Sequence, residues 1–294
     1  MRMSGAEFLF PRSLVAAAEE EGREDWLASL PPTVMRFSHE WSLTIDRPFQ
    51  PGGQTAWVAP ALTSSGEERV LKVAWRHPEA DHEADGLRAW DGHGAVKLFG
   101  VAEFTETIVL LLERCRPGLP LSGHPDESQD LVIAGLLRRL WIKPPAKHRF
   151  RPLAEMCERW AERFESKAAA GLVPLDPSLA AEGIALFRSL STTANREALL
   201  CTDLHAGNIL AAEREPWLVV DPKPYVGDPT YDVIQHLLNC SLRLRSNPDT
   251  LISRFADLLD LNRDRLRLWL FARCVQESAD SPELADVARQ LAPK

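Results

Sequence analysis

Leu200-Cys-Thr-Asp203-Leu-His-Ala-Gly-Asn208-Ile-Leu210 and, a few residues on, Trp217-Leu-Val-Val-Asp221-Pro-Lys-Pro-Tyr225 carry more information than any other part of the chain. An Asp, an Asn five residues later and a second Asp ending an apolar strand are the groups that phosphoryl transfer needs. One carboxylate orients a hydroxyl and takes its proton. The amide oxygen and the second carboxylate hold magnesium against nucleotide phosphates. Spacing alone is a weak signal. The 18 Asp and 5 Asn among 294 residues yield about 0.3 Asp-x4-Asn pairs by composition, and a second pair, Asp257 and Asn262, does occur. Only the first pair has the right surroundings: Leu199-Leu200 before it, Ile209-Leu210-Ala211 after it, a Glu213–Pro216 turn, and a strand ending on Asp221. That sequence predicts a catalytic loop, a short hairpin and a metal-binding carboxylate.

Working outward, residues 11–30 predict one or two amphipathic helices, stopped by Pro31-Pro32. From residue 34 the pattern turns to strands, at 41–45, 55–62 and 69–75, with a Pro-Gly-Gly and a Ser-Ser-Gly turn between them. A helix is expected over 78–91, opened by Pro78, and two further strands over 95–104 and 107–113. Cys115-Arg-Pro-Gly118-Leu-Pro120 then breaks the pattern and is read as a hinge. Beyond it the expected helices are 127–141, 152–169, 177–195, 229–245, 249–259, 263–278 and 282–291, with strands only around the catalytic loop. The expected organisation is α+β: a nucleotide-binding lobe over 1–114, with a small antiparallel sheet and leading helices, and a larger, mainly helical lobe over 115–294. The second lobe would carry the catalytic loop and the acceptor pocket. This is the protein-kinase-like two-lobe arrangement.

Lys72 lies mid-strand in Val70-Leu-Lys-Val-Ala74 and is the only Lys among the first 96 residues of a chain in which Arg outnumbers Lys 27 to 7. It is the candidate phosphate contact. Its partner should be a carboxylate on the next helix. Glu83 is the choice because Leu87 and Trp90, four and seven residues on, would seat the same face; Glu79, Asp81 and Asp85 compete with it. Gln50-Pro-Gly-Gly53-Gln54-Thr55 reads either as a turn over the phosphates or as a plain hairpin turn. Adenine is expected at the hinge, against backbone groups from Glu113 to Cys115. His205 reads as a loop-bracing residue, with help in positioning phosphate as the alternative, and Asp228 and Asp232 as scaffold, the first capping the next helix and the second in its first turn.

Composition excludes other classes. A net charge of −8 argues against nucleic acid and suits a cationic small ligand. The five scattered cysteines form neither a Cys-x-x-Cys pair nor a disulfide framework. No apolar run reaches the roughly 20 residues of a membrane span, and the N-terminus lacks the basic-then-apolar pattern of an export signal. A cytoplasmic protein, monomeric or weakly dimeric, is expected.

The motif Cys-Thr-Asp203-Leu-His-Ala-Gly-Asn208, with Asp221-Pro-Lys-Pro-Tyr-Val-Gly-Asp-Pro-Thr-Tyr-Asp232, resembles the aminoglycoside phosphotransferase superfamily, and more narrowly the streptomycin 6-kinase and hydroxyurea phosphotransferase family. Leu111–Gly118 and Phe271–Ser278 extend the resemblance. It implies Asp203 as catalytic base, Asn208 and Asp221 as magnesium ligands, and Lys72 as the phosphate-contacting lysine. It also implies ATP as donor and a cyclitol hydroxyl as acceptor. The wider superfamily usually has His-Gly-Asp where this chain has Cys201-Thr202-Asp203; the resemblance implies that this His mainly braces the loop, with help from an acid such as Asp232, so that its loss need not abolish catalysis but leaves room for a non-catalytic member. A guanidinium-bearing acceptor calls for carboxylates in the helical lobe. Glu277 and Asp280 are the candidates beside Asp203 itself, with Glu158, Glu162 and Glu165 as further ones. Hydroxyurea or another metabolite is the alternative acceptor, and a nucleotide-binding pseudokinase the alternative class.

Overall fold

The computed structural model describes residues 8–78 and 80–293; the expectation placed on Glu79 and the reading of the extreme N-terminus lie outside them. A five-stranded antiparallel sheet runs in the order β1-β2-β3-β5-β4, built from β1 (Leu43–Ile45), β2 (Ala56–Thr63), β3 (Glu68–Trp75), β4 (Leu98–Glu103) and β5 (Thr107–Glu113). β3 is central and buried on both faces over its last six residues. The alternation of a strand puts Leu71 and Val73 on one face and Lys72 on the other, opposite Val58 on β2 and Leu110 on β5.

The first face is covered by α1 (Arg12–Glu20) and α2 (Glu24–Glu40), whose Leu14, Trp26, Leu30, Val34 and Phe37 pack with Trp57, Leu71, Val73 and Val109. Here two expectations fail together. Helix α2 does not stop at Pro31-Pro32 but runs through both, and residues 34–40 are helix rather than strand. Interior prolines cost a helix about 3 kcal/mol. The buried stripe of Trp26 and Leu30 before them continues beyond them in Val34 and Phe37, and each large buried side chain is worth roughly 1.5–3 kcal/mol. The amide donors lost at Pro31 and Pro32 would have served Leu27 and Ala28, which are half-buried and exposed, so water reaches that side.

The opposite face carries α3 (Glu83–Trp90), shorter than the expected 78–91, and is continuous with the core of the helical part. Residues 94–96 bond to β8 (Trp217–Val219): Val96 N–H donates to Val219 O (3.0 Å) and Val219 N–H to Gly94 O (2.9 Å). Trp90 Nε1 donates to Leu140 O at the end of α4 (Asp126–Leu140). The helical part continues with α5 (Leu153–Ala169), α6 (Pro177–Thr192), α7 (Ile234–Asn239), α8 (Ser241–Ser246), α9 (Pro248–Leu259), α10 (Arg263–Glu277) and α11 (Leu284–Leu291). The single helix expected over 229–245 is instead a 3-10 turn, Tyr231–Val233, then α7 and α8 broken at Cys240. α10 forms the centre, with Leu266, Trp269, Leu270, Phe271 and Val275 fully buried. It crosses α6 closely at Gly183, where a Cβ would sit 2.5 Å from Val275.

Two two-stranded ladders frame the loops: β6 (Ala198–Leu200) with β9 (Tyr225–Gly227), and β7 (Ile209–Ala211) with β8. β9 was not anticipated. It is three residues of Tyr-Val-Gly between prolines and an Asp, too short to show a period.

Candidate active site

The two ladders bring the separated motif halves together. Asp203 and Asn208 lie on the loop between β6 and β7; Asp221 lies just past β8. Val220 N–H donates to Asn208 O (2.9 Å), and Lys223 N–H donates to Cys201 O (2.9 Å). The Thr202 hydroxyl donates to Lys223 O at 2.5 Å. Thus three bonds staple the loop to the Asp221 segment. Thr202 and Asp221 adopt left-handed backbone conformations, φ +51° and +54°, which non-glycine residues enter at a cost of roughly 1–2 kcal/mol. Such strain gathers at functional loops when the surroundings enforce it.

Asn208 Nδ2 donates to Asp203 O at 3.1 Å, which fixes the amide's nitrogen and leaves its oxygen to face elsewhere. Asp221 offers its carboxylate one residue past Val220, whose N–H donates to Asn208 O. An amide oxygen and a carboxylate are the hard donors that magnesium takes, completed by phosphate and water, so these residues suit that ion. Asp257 and Asn262, the decoy pair, are far from this role: Asp257 sits on α9, and Asn262 caps α10 by accepting from Arg265 N–H.

Lys72 Nζ donates to both oxygens of Glu83 (2.8 and 2.7 Å) and to Asp221 Oδ1 (2.6 Å). Lys72 and Glu83 are 6% and 3% exposed, so removing either leaves an uncompensated buried charge. The competitors for Lys72 are otherwise engaged: Asp81 accepts from Arg76 Nε (3.1 Å) and Asp85 from Arg88 (3.0 Å). Leu87 and Trp90 bury the expected helix face. What seats it is Gly86, where a Cβ would lie 2.4 Å from the Pro224 ring.

A residue given no role in advance joins this group. Lys223 Nζ lies 2.6 Å from the same Asp221 oxygen. Burial would raise the Asp221 carboxyl, but the charges of Lys223 and Lys72 outweigh it and hold it well below the usual range. Burial likewise works against the Lys223 ammonium; Asp221, Glu83 and Asp203 reverse that and raise its pKa. Glu83 moves up, because burial exceeds the help from Lys72. The scarcity of Lys in the chain was the available signal for Lys223.

Asp232 explains how the loop stands without a histidine at position 201. One oxygen accepts from Thr202 N–H (2.6 Å), the other from Cys201 N–H (3.0 Å) and Trp141 Nε1–H (3.0 Å). The contacts to the loop itself are to backbone, so the side chain at 201 matters little; Cys201 is simply buried. Asp228 is scaffold too, accepting from Thr230 N–H, Arg265 Nε and Trp269 Nε1. His205 Nδ1 accepts from Gly207 N–H (3.1 Å), and burial lowers its pKa. It braces the loop.

Glu113 and Cys115 lie where β5 leaves the sheet. The Glu113 side chain is taken by Arg214 (2.8 and 2.9 Å) and by Lys97 N–H (2.9 Å), which bolts this crossing to the β7–β8 turn. The Gly-Gly turn is docked on the N-terminal segment: Ser13 N–H donates to Pro51 O, and a Cβ on Gly52 would lie 2.3 Å from Pro11. That packing accounts for Gly52 as a hairpin glycine.

On the acceptor side four of the expected carboxylates, Glu277, Asp280, Glu158 and Glu165, are already ion-paired. Glu277 pairs with Arg273, which also stacks over Trp160 at 4.5 Å. Asp280 pairs with Lys167, and Arg188 holds both Glu158 and Glu165. Clefts of about 200 and 270 Å³ open on either side of Arg273 and Glu277, one against α5 and one against α7 and α8. Neither is lined by Lys72, Asp203, Asn208 or Asp221.

A small sheet carrying a buried Lys–Glu pair, joined to a helical part with an Asp/Asn loop and a second Asp after a hairpin, defines a kinase-like phosphotransferase. Solved structures agree on the fold: choline kinase LicA from Streptococcus pneumoniae (TM-score 0.57, 14% identity, 87% of this chain and 93% of that one) and a type VIII aminoglycoside-3'-phosphotransferase (TM-score 0.52, 17% identity, 81% and 93%). Among curated proteins, the streptomycin 6-kinases of Streptomyces griseus (35% identical over 88% of this chain and 85% of theirs) and Streptomyces glaucescens (33%, 90% and 87%) are similar. So is a hydroxyurea phosphotransferase of Kitasatospora aureofaciens (33%, 98% and 84%). The aminoglycoside/hydroxyurea antibiotic resistance kinase family model matches residues 41–283, and the chain belongs to that family.

Proposed function

We propose that the protein is an ATP-dependent O-phosphotransferase that modifies a hydroxyl of streptomycin or a related aminocyclitol antibiotic, inactivating it. The observation that carries the reading is Lys72 reaching Glu83 and Asp221 together, with Asn208 bonded to the residue before Asp221. In this reading the nucleotide lies between sheet and helical part, its base against the backbone at Glu113–Cys115 and its phosphates at Lys72. Asn208 and Asp221 hold magnesium, which neutralises the phosphate charge. Asp203 orients the acceptor hydroxyl. Its oxygen bonds to the γ-phosphorus, the bond to the bridging oxygen breaks with its electrons leaving on the nucleoside diphosphate, and the hydroxyl proton passes to Asp203. Division into functional lobes at 114/115 follows, although the cleft-side core runs across that point.

Glu277 would bind a cationic acceptor by exchanging Arg273 for a ligand guanidinium of the same shape and charge, with Asp280 released from Lys167 in the same way. The compensated state of both acids favours a second reading, in which the acceptor is small and uncharged, as hydroxyurea is. Incubation with ATP, magnesium and each acceptor, followed by mass spectrometry for one added phosphoryl group, separates the two. Failure of every acceptor, with nucleotide still bound, would leave a nucleotide-binding protein without this activity.

A further inference from the structure

We propose that Lys223 is the cation that meets the transferred phosphate, stored on Asp221 in the free protein and released when Asp221 takes up magnesium. This rests on the phosphotransferase reading above. Two ammonium groups, from Lys72 and Lys223, each lie 2.6 Å from one Asp221 oxygen. They are not equally anchored. Lys72 is also gripped by both oxygens of Glu83, whereas Lys223 Nζ has Asp221 as its single hydrogen-bond acceptor among the described residues. A divalent cation on Asp221 repels both, by an amount well above thermal energy in a partly buried site. Glu83 and Asp203 attract Lys223 through their charge, but the ammonium held by fewer hydrogen bonds is the one that leaves.

Its reach is restricted. The Lys223 backbone is bonded to Cys201 and Thr202, the two residues before Asp203, so the freed Nζ stays in the gap between Asp203 and Asp221. That gap is where the hydroxyl and the γ-phosphate must meet. The other basic side chain of the loop is committed to bracing it: His205 Nδ1 accepts from Gly207 N–H, and burial disfavours its charged form. As the bond to the bridging oxygen breaks and the hydroxyl oxygen closes on phosphorus, negative charge spreads over the peripheral phosphate oxygens. Lys223 then donates to one of them, and the contact lowers the barrier to the extent that it strengthens as that charge develops.

Lys223→Met and Lys223→Gln test this, with melting curves to establish folding and calorimetric titration of magnesium in the presence of a non-hydrolysable ATP analogue. With the competing cation gone, half-saturating magnesium should fall about tenfold in both variants. Turnover should drop roughly 10²–10³-fold with the acceptor KM within about threefold. Lys223→Arg should restore part of kcat together with the wild-type magnesium dependence. Unchanged or weaker magnesium binding in both neutral variants overturns the proposal, as does unchanged kcat. The binding measurement needs no acceptor, so a wrong acceptor leaves it standing. Failure of the phosphotransferase reading would show separately, as absence of magnesium-dependent nucleotide binding by the unaltered protein.

Discussion

At the scale of single residues, chemistry separates groups that touch substrate from groups that aim them. Asp203→Asn is isosteric and would remove the proton acceptor of the proposed reaction. Turnover should fall roughly 10²–10⁴-fold with ATP affinity retained, measured by steady-state kinetics beside calorimetry; a variant as active as the parent would remove Asp203 from its role. Asp232 acts at one remove. Burial pushes its carboxyl up to about 6 from an ordinary 3.8 despite three N–H donors. Because the folded value is the higher one, its contribution to stability is full below about pH 3.8 and is lost as pH rises through about 6. Activity should run the other way. Protonation makes one oxygen a donor where Cys201, Thr202 and Trp141 all present N–H groups, so kcat should decline as pH falls through about 6. Asp232→Asn should be poorly active and lack that limb. A rate profile flat down to pH 5 would count against the bracing role.

Elements place those residues, and α3 is the sensitive one. Its single glycine, Gly86, permits contact with the Pro224 ring and thereby sets Glu83 beside Lys72 and Asp221. Alanine would improve helix propensity by up to about 1 kcal/mol. Yet its methyl group would fall 2.4 Å from Pro224 and 3.0 Å from Trp90, and such overpacking costs about 1–3 kcal/mol. Gly86→Ala should therefore lower the melting temperature and weaken ATP binding, read by calorimetry. Equal or higher stability would show that α3 has room to shift. At this scale the sequence was legible where period and turn chemistry agreed: β5 came out as Thr107–Glu113, the bounds expected for it. It was illegible where tertiary burial overrode a local rule, as in α2 through its prolines, or where an element was too short to have a period, as in β9.

For the whole molecule the question is what holds the sheet and the helical part in register. The Val96–Val219 and Trp90–Leu140 hydrogen bonds and the Glu113–Arg214 pair cross between them, and a nucleotide bound in the cleft would add to that set. Magnesium and ATP at about 100 times Kd should stabilise the fold by roughly 2.7 kcal/mol, a shift of about 5–10 °C for a chain of this size. Asp221→Asn should lose the magnesium-dependent part of the shift while Asp203→Asn keeps it. A shift insensitive to Asp221 would place the metal elsewhere. Among the described residues no helix is long and apolar enough to cross a membrane.

What the sequence determined by itself was the local placement of the residues of the candidate site. Asp203 and Asn208 on one loop, Asp221 after a hairpin and Lys72 in mid-strand follow from spacing, alternation and turn residues, all of which act over a few positions. Partner choice belongs to the tertiary structure. Glu83 rather than Asp81 or Asp85, two lysines on one Asp221 oxygen, Asp232 reaching back some 30 residues to the loop amides, and Glu277 and Asp280 closed by Arg273 and Lys167 all depend on which buried charges meet. Lys72 and Asp221 are 149 residues apart, and no local periodicity records a contact of that range. It is set by burial: a charge withdrawn from water must find its counter-charge, and only the packed fold decides which one is in reach.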